Sequence, residues 1–461
     1  MKQPATATDF HHDDSRERLD ALAAIAGRLL ERARAHGADQ AEVSCTEERG
    51  LGVNVRMGEV ETVESTRDRG IAVTVYFGGR KGSASTADLR EDSLESTVAQ
   101  ACAIARHTEA DPAAGLADPA LMARPQDDGR FPEFDQWHPW AIGPQRAIEL
   151  ALACEAAGRE AEPRIRNSDG ASVGSSASLG VYANSHGFVG HERSTQHTLG
   201  CALIAGEGAG MQRDGWYTTA LAAEDLEPAN AVGRRAAERA AARLDPRPLA
   251  TAQMPVLFVA EVARSLIGHL LGAVSGGALY RRASFLLDSV GERLFPDWFS
   301  IHEDPFLPRG FRSAAFDAEG VATRPSDLVE GGVLQRYLLS SYAARRLGLQ
   351  TTANAGGAHN LQIAANAGDL DALLSGMDRG LLVTELMGQG VNPVTGDYSR
   401  GAAGFLVEGG KPVAPVDGIT IAGDLRSMFA AIEAVGSDVD PRSHVRTGSI
   451  LVGRMTVAGE H

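Results

Sequence analysis

The sequence runs to 461 residues, more than one hydrophobic core ordinarily serves, so two or three domains are expected. Hydrophobic residues make up 43% and charged residues 23%, while aromatics are only 5% beside 52 glycines, so small residues and turns do much of the shaping of an ordinary globular chain. A formal net charge of -16 repels phosphate backbones and argues against direct nucleic-acid binding.

In chain order, residues 1–14 are polar and read as a disordered start, and they hold His11 and His12. No apolar run there suggests a secretory signal. The stretch "RLDALAAIAGRLLERARAHG" has helical spacing and ends on Gly37, a helix-stop signal. "AEVSCTE", "LGVNVRM", "EVETVEST" and "GIAVTVYFGG" alternate like four strands, with turns expected at Gly58–Glu59 and at Gly70. "DLREDSLESTVAQACAIARH" returns to helix with Asp88 as its expected N-cap. An α/β domain is thus expected over 15–110, a Pro/Asp/Gly-rich linker over 111–135, and a middle α/β segment over 136–245. That segment reads as a helix ("PQRAIELALACEAAGRE"), a meander of strands, and a second helix ("ANAVGRRAAERAAARLD"). Residues 246–461 carry many short strands joined by glycine turns, which predicts a barrel-like, strand-rich domain. The fold class is therefore α+β: an N-terminal α/β part with a mixed sheet plus helices, then the strand-rich domain. The most apolar stretch, 266–279, is broken by His269, Gly and Ser and is too short to span a bilayer. Four cysteines without a CxxC pair fit reduced, buried thiols, and the expected location is cytoplasmic.

The chemistry-bearing groups are sparse. "RSLIGHLLGA" places His269 on an apolar helix. A second ligand three or four residues away would share its face, at ~40° for a spacing of four. The residues around it are Arg264, Ser265, Leu266, Gly272 and Ala273, none of them a zinc ligand. His191-Glu192 and His302-Glu303 read as surface pairs. His191 and His197 share a strand face but lie ~20 Å apart, too far to bind one metal. "GQGVNPVTGDYSRG" has no GK[ST] and no GxGxxG, so its glycines read as turns or as a groove that takes a peptide by strand addition. No GxSxG and no distinctive cysteine suggests a nucleophile.

Four stretches carry a family likeness. They are "GIAVTVYFGGRKGSASTADL", "GHLLGAVSGGALYRRASFLLDSVGERLFPDW", "FDAEGVATRPSDLVEGGVLQRYLLSSYAARRLGLQTTANAGGAHN" and "VTELMGQGVNPVTGDYSRGAAGFLVEGGKPVAPVDGITIAGDL". The chain resembles the TldD/PmbA family of metallopeptidases over nearly its whole length, and most of all the PmbA (TldE) branch. That resemblance implies one half of a two-subunit enzyme of the bacterial cytoplasm. The TldD-type subunit carries zinc through an HExxxH helix and a late cysteine. The complex removes a leader peptide from a peptide antibiotic and degrades an unfolded antitoxin. An older family label is modulator of DNA gyrase.

Carried onto this sequence, the HExxxH segment falls on "RSLIGH". Arg264 stands where the first ligand would be, Ser265 where the base would be, and only His269 keeps its identity. The late cysteine falls near Thr447. The HExxxH histidines sit ~140° apart on an ideal helix, so active relatives are expected to distort that helix and this chain to wind it regularly. The resemblance implies no catalytic residue and no metal on this chain, with zinc in a TldD-type partner. Unfolded peptides are the expected substrates, no membrane is involved, and a homodimer is possible in isolation. His269, Glu385, Asp397, Tyr398 and Arg400 are the candidate cavity or substrate-binding groups, with Gly356–Gly357 and 388–404 nearby. Two alternatives stand beside this reading. One is an autonomous metallopeptidase joining His269 to His359 or His444; the other is a non-enzymatic regulator of gyrase.

Overall fold

The computed structural model describes residues 14–127 and 129–459, so His11 and His12 lie outside the described residues. Helix α1 (Ser15–Ala35) buries Leu19, Leu22, Ala26, Leu29 and Ala33 at helical spacing. The four strands expected next are two long ones, β1 (Gln40–Arg56) and β2 (Glu59–Phe77). They form a single hairpin turned at Met57 and Gly58, both at positive φ. Gly70 makes no turn; it sits within β2 opposite Thr46, where a Cβ would meet Thr46 Oγ1 at 3.0 Å. β3 (Arg80–Thr86) and α2 (Glu91–His107) follow. Arg90, not Asp88, is the N-cap of α2; the Asp88 carboxylate instead accepts from the Arg90 amide at 3.0 Å and the Ser93 hydroxyl at 2.7 Å.

Next come α3 (Pro144–Ala161), β4 (Ile165–Asn184), β5 (Val189–Ala205), β6 (Gln212–Ala220) and α4 (Ala229–Ala242). β1 pairs with β4, so the stretches before and after residues 111–135 build one antiparallel sheet of order β3-β2-β1-β4-β5-β6. Odd-numbered residues of β1 and β4, including Val43, Cys45, Leu51, Val53, Val173 and Val181, point to the face covered by α1 to α4. The strand period of two then sends Glu42, Ser44, Thr46, Gly180 and Tyr182 to the opposite face.

The last part begins with β7 (Ala252–Phe258), α5 (Ala260–Ala273) and α6 (Gly276–Tyr280). Next come β8 (Ile301–Asp304), β9 (Ser326–Glu330), β10 (Val333–Leu334), α7 (Ser341–Leu347), β11 (Asn360–Ile363) and α8 (Leu370–Ser375). β12 (Arg379–Met387), β13 (Asp397–Glu408), β14 (Lys411–Asp424), α9 (Leu425–Ala430), β15 (Ile432–Val435), β16 (Val445–Arg446) and β17 (Ile450–Ala458) complete it. β7, β12, β13, β14 and β17 close into a five-stranded barrel, because β14 pairs with both β13 and β17. This is the barrel-like domain the glycine-punctuated strands predict. A second sheet, β10-β9-β8-β11-β16, lies beside it. One apolar core joins them, from Val256 and Ile421 of the barrel through Leu266 and Leu270 of α5 to Leu361.

All four cysteines are buried free thiols. Among the described residues no helix is long and apolar enough to cross a membrane.

Candidate functional site

Helix α5 is regular from Ala260 to Ala273 and starts four residues before the motif position. Arg264 points away from His269. Its guanidinium donates to the Tyr217 hydroxyl at 2.9 Å and lies 3.8 Å from Asp440, which ties α5 to β6. Ser265 and His269 are one turn apart, and neither the Ser265 hydroxyl nor His269 Nε2 has a hydrogen-bond partner among the described residues. The His269 ring meets Tyr398 edge to face at 5.7 Å. Burial, reinforced by the Arg400 charge, lowers the His269 pKa, so the ring is held neutral. Tyr398 and Arg400 share a face of β13 at the strand period. Burial pushes the Tyr398 phenol up to about 12, with Arg400 pulling the other way.

Three of the five expected cavity groups therefore meet: His269, Tyr398 and Arg400. Asp397 stands apart, accepting from Thr395 Oγ1 at 2.6 Å, while Arg400 Nε donates to the Gly388 carbonyl at 3.1 Å. Glu385 pairs with Arg243, which is itself buried. Thr447 is buried, and its hydroxyl donates to the Gly448 carbonyl at 3.0 Å.

The large space lies elsewhere. A cavity of about 1490 Å³ runs along the polar face of the N-terminal sheet, past Glu42 and Tyr182, to Arg312, Asp317, Gly356–Gly357 and His359. A smaller one of about 460 Å³ adjoins it, with Arg312 and Gly356–Gly357 common to both and His444 in its wall. Neither is lined by the His269 cluster or by 388–404.

Between the cavities sits a buried polar hub that the sequence reading missed. Glu303, read there as a surface residue, is 2% exposed. Its Oε1 accepts from Asn354 Nδ2 at 2.9 Å and from the His359 amide at 2.6 Å, and lies 3.0 Å from His359 Nδ1; its Oε2 pairs with Arg336. Burial alone would raise this carboxyl; the His359 hydrogen bonds and the Arg336 charge overcome it and bring it down to about 2. The available signal was the alternation in "IHED", which buries Ile301 and Glu303 together. Glu192, the other acid read as a surface residue, is exposed, and it lines the larger cavity. Burial also pushes Asp317 to about 6, although the Ala355, Glu319 and Val321 amides hold its anion. His444 falls to about 4 through burial and the Arg312 and Arg264 charges. His444 and His359 thus belong to this hub, and His269 packs on the other cluster.

Three family models describe consecutive parts of the chain: PmbA/TldA metallopeptidase domain 1 over 41–105, the central domain over 137–244 and the C-terminal domain over 251–459. The chain belongs to the PmbA/TldE family. It is 46% identical over 422 residues to the metalloprotease PmbA of Escherichia coli O157:H7, spanning 92% of this chain and 93% of that one. A crystal structure from Bacteroides thetaiotaomicron, described as a candidate modulator of DNA gyrase, superposes with TM-score 0.89 at 26% identity, covering 95% of this chain and 98% of that one. TldE from Thermococcus kodakarensis shares the fold, with TM-score 0.83 at 21% identity over 94% and 100% of the two chains.

Proposed function

We propose that this chain is the non-catalytic, PmbA/TldE-type half of a heteromeric peptidase whose zinc sits on a TldD-type partner, and that it works in the cytoplasm on unfolded peptides. The observation that carries the reading is the content of Arg264–His269. Zinc hydrolysis needs three protein ligands, an open position for water and a base. Here one imidazole nitrogen is flanked by a serine hydroxyl and a tyrosine, and Arg400 sets a positive charge beside it. Those groups do not fit zinc, and among the described residues no set of three or more His, Cys, Asp and Glu is placed to hold a metal ion. Arg264 is committed to Tyr217 and Asp440.

In this reading the chain contributes substrate space. The polar sheet face and the Glu303 hub wall a cavity large enough for several residues of an extended peptide. The His269–Tyr398–Arg400 cluster is a packed remnant of the metal-binding helix, and Glu385 and Asp397 serve local structure. The domain units are the stretches 15–110, 136–245 and 246–461, the first two sharing a sheet.

The test is zinc per chain in protein purified without a sister subunit and dialysed against a weak chelator. Near-zero zinc, with peptidase activity appearing only on addition of a TldD-type chain, is the expected result. One zinc per chain would overturn the reading in favour of an autonomous enzyme and would direct mutagenesis to His269, His359 and His444. The gyrase label of the Bacteroides neighbour suggests a second reading, a protein-binding regulator. A supercoiling assay unaffected by the purified chain removes it.

A further inference from the structure

The two cavities meet at a throat formed by Arg312, Ser340 and residues 355–357, which line both. The charges on its two sides differ. The larger cavity is rich in acids, among them Glu42, Glu109, Asp111, Asp135 and Glu319, and its Arg16 and Arg193 lie 3.9 and 2.8 Å from Glu133. The smaller cavity is walled mainly by glycine and alanine, and no aspartate or glutamate faces it among the described residues. Its charge comes from Arg312, with His444 held neutral in the same wall.

Arg312 is a fixed cation with donors to spare. Its backbone amide donates to Asn360 Oδ1 at 3.0 Å. The Asn360 side chain is itself buried and donates to the Asp304 carbonyl at 3.0 Å and to Ser313 Oγ at 2.8 Å. The Arg312 Nη2 donates to the Gly356 carbonyl at 2.7 Å, on a left-handed stretch of backbone, φ +97°, that favours glycine. Among the described residues Arg312 has no ion pair, and its Nε and Nη1 have no acceptor. Glu192 lines the larger cavity but not the throat. A planar guanidinium placed in this way matches a carboxylate through two parallel N–H···O bonds. Elsewhere on the cavity wall an acid of the chain answers the arginine; at the throat the ligand has to bring it.

The space beyond the throat is small. Its volume of about 460 Å³ falls within the range of about 300–1,000 Å³ usual for small-ligand sites. A Cβ built on Gly272 or Gly357 meets nothing within 4 Å, so both leave room where a side chain would otherwise stand. That room suits the last residues of a peptide with small side chains. An amine or a lysine is drawn instead to the acids of the larger cavity.

We propose that the smaller cavity is an end pocket for a peptide, in which Arg312 pairs with the C-terminal carboxylate and the glycine and alanine walls take a small terminal residue. The rest of the peptide runs back through the throat into the larger cavity, so the carboxylate end lies innermost. That the ligand is a peptide rests on the peptidase reading above; binding at Arg312 requires neither zinc nor a sister subunit.

Isothermal titration of the purified full-length chain with N-acetylated tetra-alanine, as the free acid and as the C-terminal amide, tests it. The free acid binds roughly ten- to a hundredfold more tightly than the amide, the difference expected of hydrogen bonds to a charged group. Arg312→Gln abolishes that difference by weakening the acid, while an unchanged thermal midpoint shows the variant folded. Arg16→Gln, in the larger cavity, leaves the difference intact. No binding of the acid, equal binding of acid and amide by the wild type, or a preference that survives Arg312→Gln would each overturn the pocket and leave the peptidase reading standing. An amide ending in aspartate that binds as tightly as the free acid would overturn the assignment to the chain end. Zinc in the chain would overturn the peptidase reading and leave the acid–amide difference in place.

Discussion

Glu303 shows how one buried charge organises its surroundings. It has taken Arg336, Asn354 and both the amide and the ring of His359 as partners, and a buried charge is tolerated only when so surrounded. His444, in the same neighbourhood, is less well compensated: burial and the Arg312 and Arg264 charges outweigh the pull of Glu303 and lower its pKa to about 4. The unfolded chain binds that proton more readily than the folded one. The contribution of His444 to stability is therefore complete above about pH 6.5 and is lost as the pH falls towards 4. Asp317 has the opposite sign, since its raised pKa of about 6 stabilises the fold as the pH falls through the same range. A difference measurement separates the two. Chemical denaturation of wild type and His444→Asn at pH 6.5 and pH 5 is expected to show the smaller loss of stability in the variant.

At the level of elements, glycine has two distinct uses. Gly404 in β13 lies against the backbone of β12, and a Cβ there would run into the Leu382 carbonyl. Gly268 and Gly272 in α5 face open space and have no such neighbour. Gly404→Ala should lower the thermal midpoint sharply, by the overpacking cost of about 1–3 kcal/mol. Gly268→Ala should raise stability by up to about 1 kcal/mol, because alanine loses less conformational freedom in a helix. Thermal melts of the two variants check both signs. From the sequence, Gly404 and Gly268 look alike. Hydropathy alternation made β1, β2, β4 and β5 legible as strands, and it placed α1, α3 and α4 within a few residues. It also split β1 and β2 in two, at Gly70 because that residue resembles a turn when the neighbouring strand is not in view. Gly70 opposite Thr46, and Gly50 opposite Thr66 in β1, show why glycine stands inside these strands: a Cβ would crowd the threonine hydroxyl.

Over the whole molecule, the two parts are joined by hydrogen bonds and ion pairs spread along their junction, among them Arg309 to Asp135 and Asp225, Tyr342 to Asp111, and Arg239 to Glu261. Trp216 of β6 is sandwiched between Arg235, 3.6 Å from the ring centroid, and Arg442 of the C-terminal part, at 3.9 Å. Arg264 and Arg442 reach Tyr217 beside it. Trp216→Ala is expected to cost about 3–5 kcal/mol, read by calorimetry as a lowered thermal midpoint. The sequence by itself determined the family, the α+β class with its barrel, and the absence of the ligand pattern at Arg264–His269. Each of these depends on local periodicity or on residue identity along a continuous stretch. Only the tertiary structure decided that His269 packs on Tyr398 rather than opening into the main cavity, and that Glu303 is buried behind His359, which lines that cavity. It also decided that residues 59–69 of β2 are exposed and, among the described residues, paired along one edge only. These depend on residues far apart in sequence, brought together by closure of the barrel and by pairing of β1 with β4. A pairing is a property of two strands, and no single stretch of sequence carries it.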